Sequence, residues 1–421
     1  MTITEKIMAR SAGLAEVVPE QMITAKIGLA YTMDMLAMNV FNNLKAVGAT
    51  KVFDPEKVVI VFDHNAPPPD VNYANLHNQI RMLAKQYHIR IYDIGSGGIM
   101  HQIVAQEGYL VPGIVAIATD SHALTGGALG AVVLGVGATD VAMAMATGEL
   151  WLRVPATVKV EIEGNLPKGT MSRDIMLYLM GQKGWDGTKA DWAYQAIELT
   201  GSTVRNMTMD SRFALCNLSS DAGAKNAIIP PDEVTQTYLK GRARGGYQLF
   251  QSDPNAEYVD TMKLEVSRFE PQVACPHSPD NVKPLSQVLG TKINIATVSS
   301  CSGGRLEDLR MAAQILKGRK LHPDVRMVVA PASQKIYQEA MKDGTFSILL
   351  DAGVLVGHAT CGPCHGGQLV VLGKGDVCIG SLPRNMRGRM GSPESEIYSA
   401  NPAVVAASAI KGVIADPREF L

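Results

Sequence analysis

The stretch Val58-Val59-Ile60-Val61-Phe62-Asp63-His64-Asn65 decides the fold. It is an apolar β-branched run followed at once by polar turn residues. β-branched residues favour strands, and Asp and Asn favour turns. The same unit recurs three times, and each copy leads towards a helix. The copies are Ile89 to Ile94 before Gly95-Ser96-Gly97-Gly98, Ile114 to Ala118 before Asp120-Ser121-His122, and Ile293 to Val298 before Ser299-Ser300-Cys301. Strands that alternate with helices predict an α/β protein with mostly parallel sheets.

Several residues that can carry protons follow these strands. In parallel α/β sheets, ligands bind beyond the carboxyl ends of the strands. A carboxylate beside a histidine fixes the tautomer of the ring and raises its pKa. Each motif alone is also compatible with a polar turn or a helix cap, but together they favour a shared site. The acid–base candidates are Asp63-His64, His101, Asp120-x-His122 and Asp221.

Three cysteines form the most specific pattern of the chain. Cys301 stands alone, whereas Cys361 and Cys364 form a pair in Cys361-Gly362-Pro363-Cys364-His365. Such a set can hold three corners of an iron–sulfur cube and leave the fourth iron open as a Lewis acid. A thioredoxin-type redox pair, a haem c attachment and a structural zinc with His358 or His365 are the alternatives. The iron–sulfur interpretation is favoured because the pair lies late in a large chain and no export signal is recognised.

Composition restricts the functional class. The chain has 421 residues, 46% of them hydrophobic, and a formal net charge of -1. That charge gives no electrostatic reason to expect nucleic acid or an anionic membrane as a partner. Six cysteines in this length fit reduced thiols of a cytoplasmic protein better than a disulfide framework. The most membrane-like stretch, Gly126 to Gly148, is predicted to be a buried helix.

Two predicted boundaries divide the chain into three α/β domains. One follows Trp151-Leu152-Arg153-Val154-Pro155, and the other lies in the proline-rich stretch Pro271 to Pro284. The predicted domains are residues 1–157, with the acid–base loops, residues 158–285, and residues 286–421, with the cysteines. The third also carries Arg384 and Arg389, whose guanidinium groups suit a di- or tricarboxylic acid. A basic surface loop is the simpler interpretation of these arginines alone, and their position after Cys364 favours function.

With these motifs in place, the chain resembles the aconitase superfamily, in particular the separate large subunit of the isopropylmalate isomerase and homoaconitase type. The resemblance covers essentially the whole chain. It implies three α/β/α domains around a central cluster-binding cleft. The motifs that carry it are Asp63-His64, Gly98-Ile99-Met100-His101-Gln102, Pro112-Gly113, Thr119-Asp120-Ser121-His122, Gly126-Gly127-Ala128-Leu129-Gly130, the three cysteines, Arg384-Asn385, Gly388-Arg389 and Asp416-Pro417-Arg418.

The resemblance also implies a function and roles for residues. One [4Fe–4S] cluster per chain would be held by Cys301, Cys361 and Cys364, with one iron not bound by cysteine. His101, Asp120 and His122 would surround that iron, and His64, supported by Asp63, would protonate the departing hydroxyl. Arg384 and Arg389 would hold a carboxylate of a hydroxy acid such as 3-isopropylmalate, homocitrate or a related malate. The enzyme would be a cytoplasmic hydro-lyase of amino-acid biosynthesis.

The resemblance implies that the catalytic serine lies on a swivelling domain, which is expected to be absent from this chain. A small partner subunit is therefore expected to supply it, and the chain alone is expected to be inactive. Some substrate-binding positions differ from the family pattern. Ser302-Gly303 stand where the family has Thr-Asn, Pro383 stands where it has Asn, and Asp221, after Asn217, replaces a glutamate. These differences predict a divergent member. A cluster-binding sensor of the same fold and a thiol–disulfide oxidoreductase are the two other hypotheses.

Overall fold

A computed structural model describes residues 1–184 and 192–421. Within them the chain forms two compact units, residues 1–163 with 192–264 and residues 164–184 with 265–421. The predicted division into residues 1–157, 158–285 and 286–421 stays a prediction, and residues 185–191 of its second domain lie outside the described residues.

Short strands make up the sheets of both units. In chain order they are β1 (Met22–Lys26), β2 (Leu29–Met33), β3 (Val58–Val61), β4 (Arg90–Tyr92), β5 (Val115–Ala118), β6 (Val132–Gly135), β7 (Glu149–Arg153), β8 (Thr157–Glu163), β9 (Ala196–Thr200), β10 (Asn226–Ile228), β11 (Asp260–Glu265), β12 (Gln272–Ala274), β13 (Val282–Pro284), β14 (Ile295–Val298), β15 (Arg326–Val329), β16 (Leu355–Val356), β17 (Val377–Gly380) and β18 (Glu396–Ser399).

Helices connect most of these strands. They are α1 (Ile3–Ala12), α2 (Asp34–Ala46), α3 (Val71–Gln86), α4 (Met100–Gln106), α5 (Ala138–Thr147), α6 (Ser172–Lys183), α7 (Ser202–Asn206), α8 (Met209–Leu218), α9 (Glu233–Leu239), α10 (Leu306–Leu316), α11 (Gln334–Lys342), α12 (Thr345–Ala352) and α13 (Pro402–Lys411). Short 3-10 helices lie at Pro55–Lys57, Ser121–Leu129, Ser219–Ala222, Leu285–Gln287, Gly362–His365 and Pro417–Glu419. Among the described residues, none of the helices has the length and hydropathy needed to span a membrane.

The first unit contains a five-stranded sheet in the order β4-β3-β2-β5-β6. All of its neighbouring strands pair in parallel, and the residues of β3 and β5 are buried. Because the strands run in one direction, their carboxyl ends lie along one edge of the sheet. Asp63, His64 and Asp120 directly follow two of these ends, as the sequence predicts.

Two smaller sheets complete the first unit. One has the order β10-β9-β8-β11, with parallel pairing of β8, β9 and β10. The other is the antiparallel pair β1 and β7. Around the five-stranded sheet, buried apolar side chains form one core that extends onto α2; it includes Ile60, Ile117, Val40, Phe41 and Leu44.

The second unit is built on a seven-stranded sheet in the order β13-β12-β18-β17-β14-β15-β16. Five strands, β18 to β16 in that order, pair in parallel. The other two, β12 and β13, are antiparallel. The predicted mixed α/β class with mostly parallel sheets is confirmed. The polar loop after β14, the middle one of the five parallel strands, carries Cys301.

One sequence prediction about secondary structure is wrong. Gly126 to Gly148 was expected to form one buried helix, but it contains the end of the 3-10 helix Ser121–Leu129, then β6, then α5. The helix stops at Gly130, which has a left-handed φ of 75°. The β-branched residues after it pair with β5 instead. Residues 126–134 are buried as expected, whereas α5 exposes one side, including Met143. A tertiary pairing overrides the predicted single helix.

Candidate active site

His64 and Asp63 follow β3 and form a hydrogen-bonded pair. His64 Nδ1 lies 2.6 Å from Asp63 Oδ1, and the Asp63 side chain is completely buried. Asp63 Oδ2 accepts the backbone N–H of Met100, the first residue of α4, at 2.9 Å. Burial by itself would lower the pKa of His64, but the carboxylates of Asp63, Asp34 and Asp120 outweigh it and raise the pKa to about 10. The His64 ring is therefore charged at neutral pH.

His101 and His122 share one carboxylate, that of Asp120. His101 Nε2 lies 3.0 Å from Asp120 Oδ1, and the same oxygen accepts the backbone N–H of His122 at 2.7 Å. Asp120 precedes the 3-10 helix Ser121–Leu129 and caps it, so the predicted capping role and the candidate catalytic role coexist. Burial would raise the pKa of Asp120, but its hydrogen bonds to the two histidines hold that pKa well below its usual range.

His122 is also bound by a carboxylate from a distant part of the chain. Its Nε2 lies 3.0 Å from Oδ2 of Asp221, which is completely buried. Asn217 donates through Nδ2 to Thr125 Oγ1 at 2.8 Å, and that hydroxyl donates to the backbone oxygen of His122 at 2.7 Å. Hydrogen bonds thus bring the predicted residues His101, Asp120, His122 and Asp221 together, with Asn217 beside them.

Sequence reasoning missed Asp34, which belongs to the same group. Asp34 follows β2 and is completely buried. It accepts the backbone N–H groups of His64 at 3.0 Å and Asn65 at 2.8 Å. Burial would raise the pKa of Asp34, but hydrogen bonds from His77 and the backbone, with the charge of His64, lower it to about 2. The missed signal is the same as at Asp63: an acidic residue directly after a short apolar strand.

The three predicted cysteine ligands lie together in the second unit. Cys301, Cys361 and Cys364 are 4%, 5% and 2% exposed, and all are free thiols. The thiol of Cys361 is hydrogen-bonded to Cys301 and to Cys364, and these contacts together with burial raise its pKa well above the usual range. Three adjacent thiolates repel one another unless a cation lies between them. An all-thiol, buried set of this kind suits an iron–sulfur centre or another thiophilic metal.

The Arg389 side chain lies close to the thiol of Cys364. Arg389 Nε donates to the backbone oxygen of Cys364 at 3.0 Å, and its Nη2 lies 3.7 Å from the Cys364 sulfur. Negative charge on Cys364 raises the pKa of the Arg389 guanidinium. Arg384 is half-buried on the same loop. Both predicted arginines therefore belong to the second unit, as the cysteines do.

The Ser302 side chain is buried and hydrogen-bonded within the protein. It is 1% exposed, and its Oγ accepts a hydrogen bond from Arg173 Nη1 at 2.8 Å. Arg173, which the sequence did not single out, also donates to the backbone oxygen of Leu382 and to Ser399 Oγ. This buried guanidinium ties the Cys301 loop to the start of the loop that carries Arg384.

The aconitase family (aconitate hydratase) matches residues 5–412. The large subunit of 3-isopropylmalate dehydratase from Thermodesulfovibrio yellowstonii is 45% identical over 421 residues, covering 100% of this chain and 99% of the relative. Those from Moorella thermoacetica and Aquifex aeolicus are each 46% identical, covering 100% of this chain and 99% and 98% of the relatives.

These matches confirm the predicted family and the predicted class, the large subunit of a hydro-lyase. The family match spans nearly all of the chain, and the relatives align from end to end. The chain belongs to the aconitase family.

Proposed function

We propose that this chain is the large subunit of a 3-isopropylmalate dehydratase, which removes water from a hydroxy dicarboxylic acid and adds it back. The observation that carries the proposal is the full-length identity of 45% to relatives of that name. Support comes from the paired histidines and carboxylates of the first unit and the grouped thiols of the second. Acid–base residues can move the protons of this reaction, and a metal held by thiols can act as its Lewis acid.

Cys301, Cys361 and Cys364 would hold the [4Fe–4S] cluster, one per chain, with one iron not bound by cysteine. Their burial, their free thiols and the mutual contacts of Cys361 fit that group. When bound, the cluster supplies a Lewis acid that polarises the hydroxyl of the substrate. Arg389, beside the Cys364 sulfur, would offset negative charge in its surroundings.

His64 would donate the proton that the departing hydroxyl needs. Its pKa of about 10 keeps the ring charged at neutral pH, and the contact with Asp63 at 2.6 Å fixes Nδ1. The proton available for transfer is therefore the one on Nε2. In the reverse reaction, the same ring would take a proton from water.

His101, Asp120, His122 and Asp221 would orient the reacting oxygen and the water that replaces it. Asp120, with its lowered pKa, stays ionised and holds His101 through Nε2. Asp221 holds His122 through Nε2. Carboxylates and imidazole rings alternate along these hydrogen bonds, so each ring keeps one orientation. A fixed orientation favours directed proton transfer.

Substrate carboxylates would be bound by Arg384 and Arg389, because guanidinium groups pair with carboxylates through two hydrogen bonds. Asn217 and Ser302 complete the proposed substrate-binding set. Both are buried and already bonded within the protein, so their contribution would be to hold backbone and neighbouring groups in place around the substrate.

The small subunit would supply the serine that removes the carbon-bound proton. Support comes from the relatives, whose name describes a large subunit. The chain purified alone would then show no dehydratase activity.

The first test is an anaerobic visible spectrum with iron and sulfide analysis, on this chain and on Cys301→Ala. We expect broad visible absorbance and about four irons per chain, both lost in the variant. Addition of a small subunit should then give turnover of 3-isopropylmalate, measured against homocitrate and other hydroxy acids. A colourless protein with one zinc, indifferent to Cys301→Ala, would overturn the proposal, whereas a cluster without turnover of any hydroxy acid would favour the sensor.

A further inference from the structure

Asp34 is a buried carboxylate that the roles proposed above leave unused. It is the first residue of α2, directly after β2, and it is completely buried. Its Oδ1 accepts the backbone N–H groups of His64 at 3.0 Å and Asp63 at 3.4 Å. Its Oδ2 accepts the backbone N–H of Asn65 at 2.8 Å. One side chain thus binds three consecutive backbone donors of the loop that carries His64.

A third element is attached to the same carboxylate. His77, a completely buried residue of α3, places Nε2 3.4 Å from Asp34 Oδ2. The His77 ring packs on Phe62, the residue before Asp63, with 4.3 Å between ring centroids. The loop is therefore held from α2 by charge-assisted hydrogen bonds and from α3 by packing.

These contacts act on the conformation of the loop. Three fixed backbone N–H groups leave the peptide planes of residues 63–65 little freedom, so the direction in which the His64 side chain leaves the backbone is set. We propose that Asp34 is the positioning residue of the proton donor: it holds the loop so that His64 and Asp63 meet and His64 keeps one orientation. The role of His64 as donor rests on the proposed function, but its placement by Asp34 does not.

Asp34 also contributes charge. The charged groups that face His64 are Asp63 on its own loop, Asp34 on α2 and Asp120 after β5. Asp34→Asn removes one of these charges and keeps the size of the side chain. It also replaces one of two acceptor oxygens by an NH₂ group, which cannot accept the N–H groups that Asp34 binds.

The test is a histidine NMR titration of the chain without partner or substrate. In Asp34→Asn we expect the pKa of His64 to fall by about one unit or more and the amide resonances of residues 63–65 to shift. Asp174→Asn is the matched control, because Asp174 is also completely buried and accepts the N–H groups of Met171 at 2.7 Å and Gln272 at 2.9 Å. Asp174 belongs to the second unit, so its variant should lose stability and leave the His64 titration unchanged.

A second variant covers the case in which Asp34→Asn does not fold. His77→Gln keeps a donor for Asp34, and we expect smaller shifts of the same amide resonances in the same direction. The inference would be overturned if both variants kept the wild-type amide shifts and the wild-type His64 titration. It would also be overturned if Asp174→Asn changed these signals as much as Asp34→Asn does.

Kinetics of the complex with the small subunit separate positioning from a general loss of structure. We expect Asp34→Asn to lower kcat by about tenfold or more and to leave KM within about twofold, because Asp34 does not hold the substrate carboxylates. A rise of KM with unchanged kcat would contradict positioning of a proton donor. Absence of activity in the wild-type complex, with the NMR changes present, would overturn the proposed function and leave the placement by Asp34 intact.

Discussion

Each candidate acid–base histidine is held by a carboxylate. For His64 the partner is its chain neighbour Asp63, but His101 binds Asp120, 19 residues away, and His122 binds Asp221, 99 residues away. The carboxylate decides which ring nitrogen carries the proton, so these contacts determine the acid–base chemistry of each ring.

The Asp63–His64 pair makes stability depend on pH. The pKa of His64 is raised from 6.5 to about 10 in the folded chain, so the stabilisation from its charge is complete below pH 6.5 and is lost as pH rises through about 10. Asp63→Asn removes most of this contribution. We expect the difference in free energy of unfolding between wild type and Asp63→Asn, measured with urea, to be largest near pH 6 and to shrink towards pH 10. A difference that does not change with pH would contradict the charged pair.

Asp120 distinguishes an enzyme from a cluster-binding sensor. Asp120→Asn keeps the shape of the side chain but removes the charge that holds His101 and His122. We expect kcat of the complex to fall by about a hundredfold with unchanged visible absorbance per chain, because Asp120 is not a proposed cluster ligand. The matched Cys301→Ala variant should lose both activity and absorbance. Wild-type kcat in Asp120→Asn would contradict the proposed catalytic role of Asp120, whereas a wild-type complex that holds the cluster and turns over no hydroxy acid would favour the sensor.

At the scale of elements, the repeated strand-and-turn unit positions several of the candidate acid–base residues. Parallel pairing of β2, β3 and β5 brings Asp34, Asp63 and Asp120 to one edge of a single sheet. The 3-10 helix Ser121–Leu129 then carries His122 towards Asp221. Its glycines allow this helix to approach β10 closely, since the oxygen of Ala227 lies where a side chain of Gly127 would be.

Gly127 is therefore a test of this packing. A Cβ atom there would lie 1.6 Å from the backbone oxygen of Ala227. We expect Gly127→Ala to lower the free energy of unfolding by about 1–3 kcal/mol or more and to lower kcat, because the helix that carries His122 must shift. Gly246→Ala is the control, since nothing lies within 4 Å of its Cβ position, and it should be close to neutral. Equal stability of both variants in urea titrations would contradict the close approach.

At the scale of the whole molecule, each compact unit holds one of the two groups of residues to which the proposed function assigns chemistry. The first holds the histidines and their carboxylates, and the second holds the thiols and the arginines. A centre bound by the three thiols would also stabilise the second unit, because a ligand that binds only the folded chain adds to its stability.

Removal of iron tests this statement. We expect a chelator under oxidising conditions to abolish visible absorbance and activity, and to lower the melting temperature, while far-UV circular dichroism stays the same. Ferrous iron and sulfide with a reductant should restore all three properties. A melting temperature that does not respond to iron would contradict a centre held by Cys301, Cys361 and Cys364.

The sequence alone determined the α/β class, the strands before Asp63 and Asp120, the family, and the cysteines as a set. Those features depend on local patterns: β-branched runs, turn residues after them, and the Cys-x-x-Cys spacing. Asp34 could have been found by the same rule, because it also follows a short apolar strand.

Only the tertiary structure decided which side chains meet. The pairing of His122 with Asp221, the three N–H groups bound by Asp34 and the contact of Arg173 with Ser302 join segments 29 to 129 residues apart. The tertiary structure also decided that Gly126 to Gly148 contains part of a 3-10 helix, a strand and a helix, because β6 pairs with β5. Local patterns predict the secondary structure that each segment prefers, whereas hydrogen bonds and packing between distant segments decide which secondary structure forms.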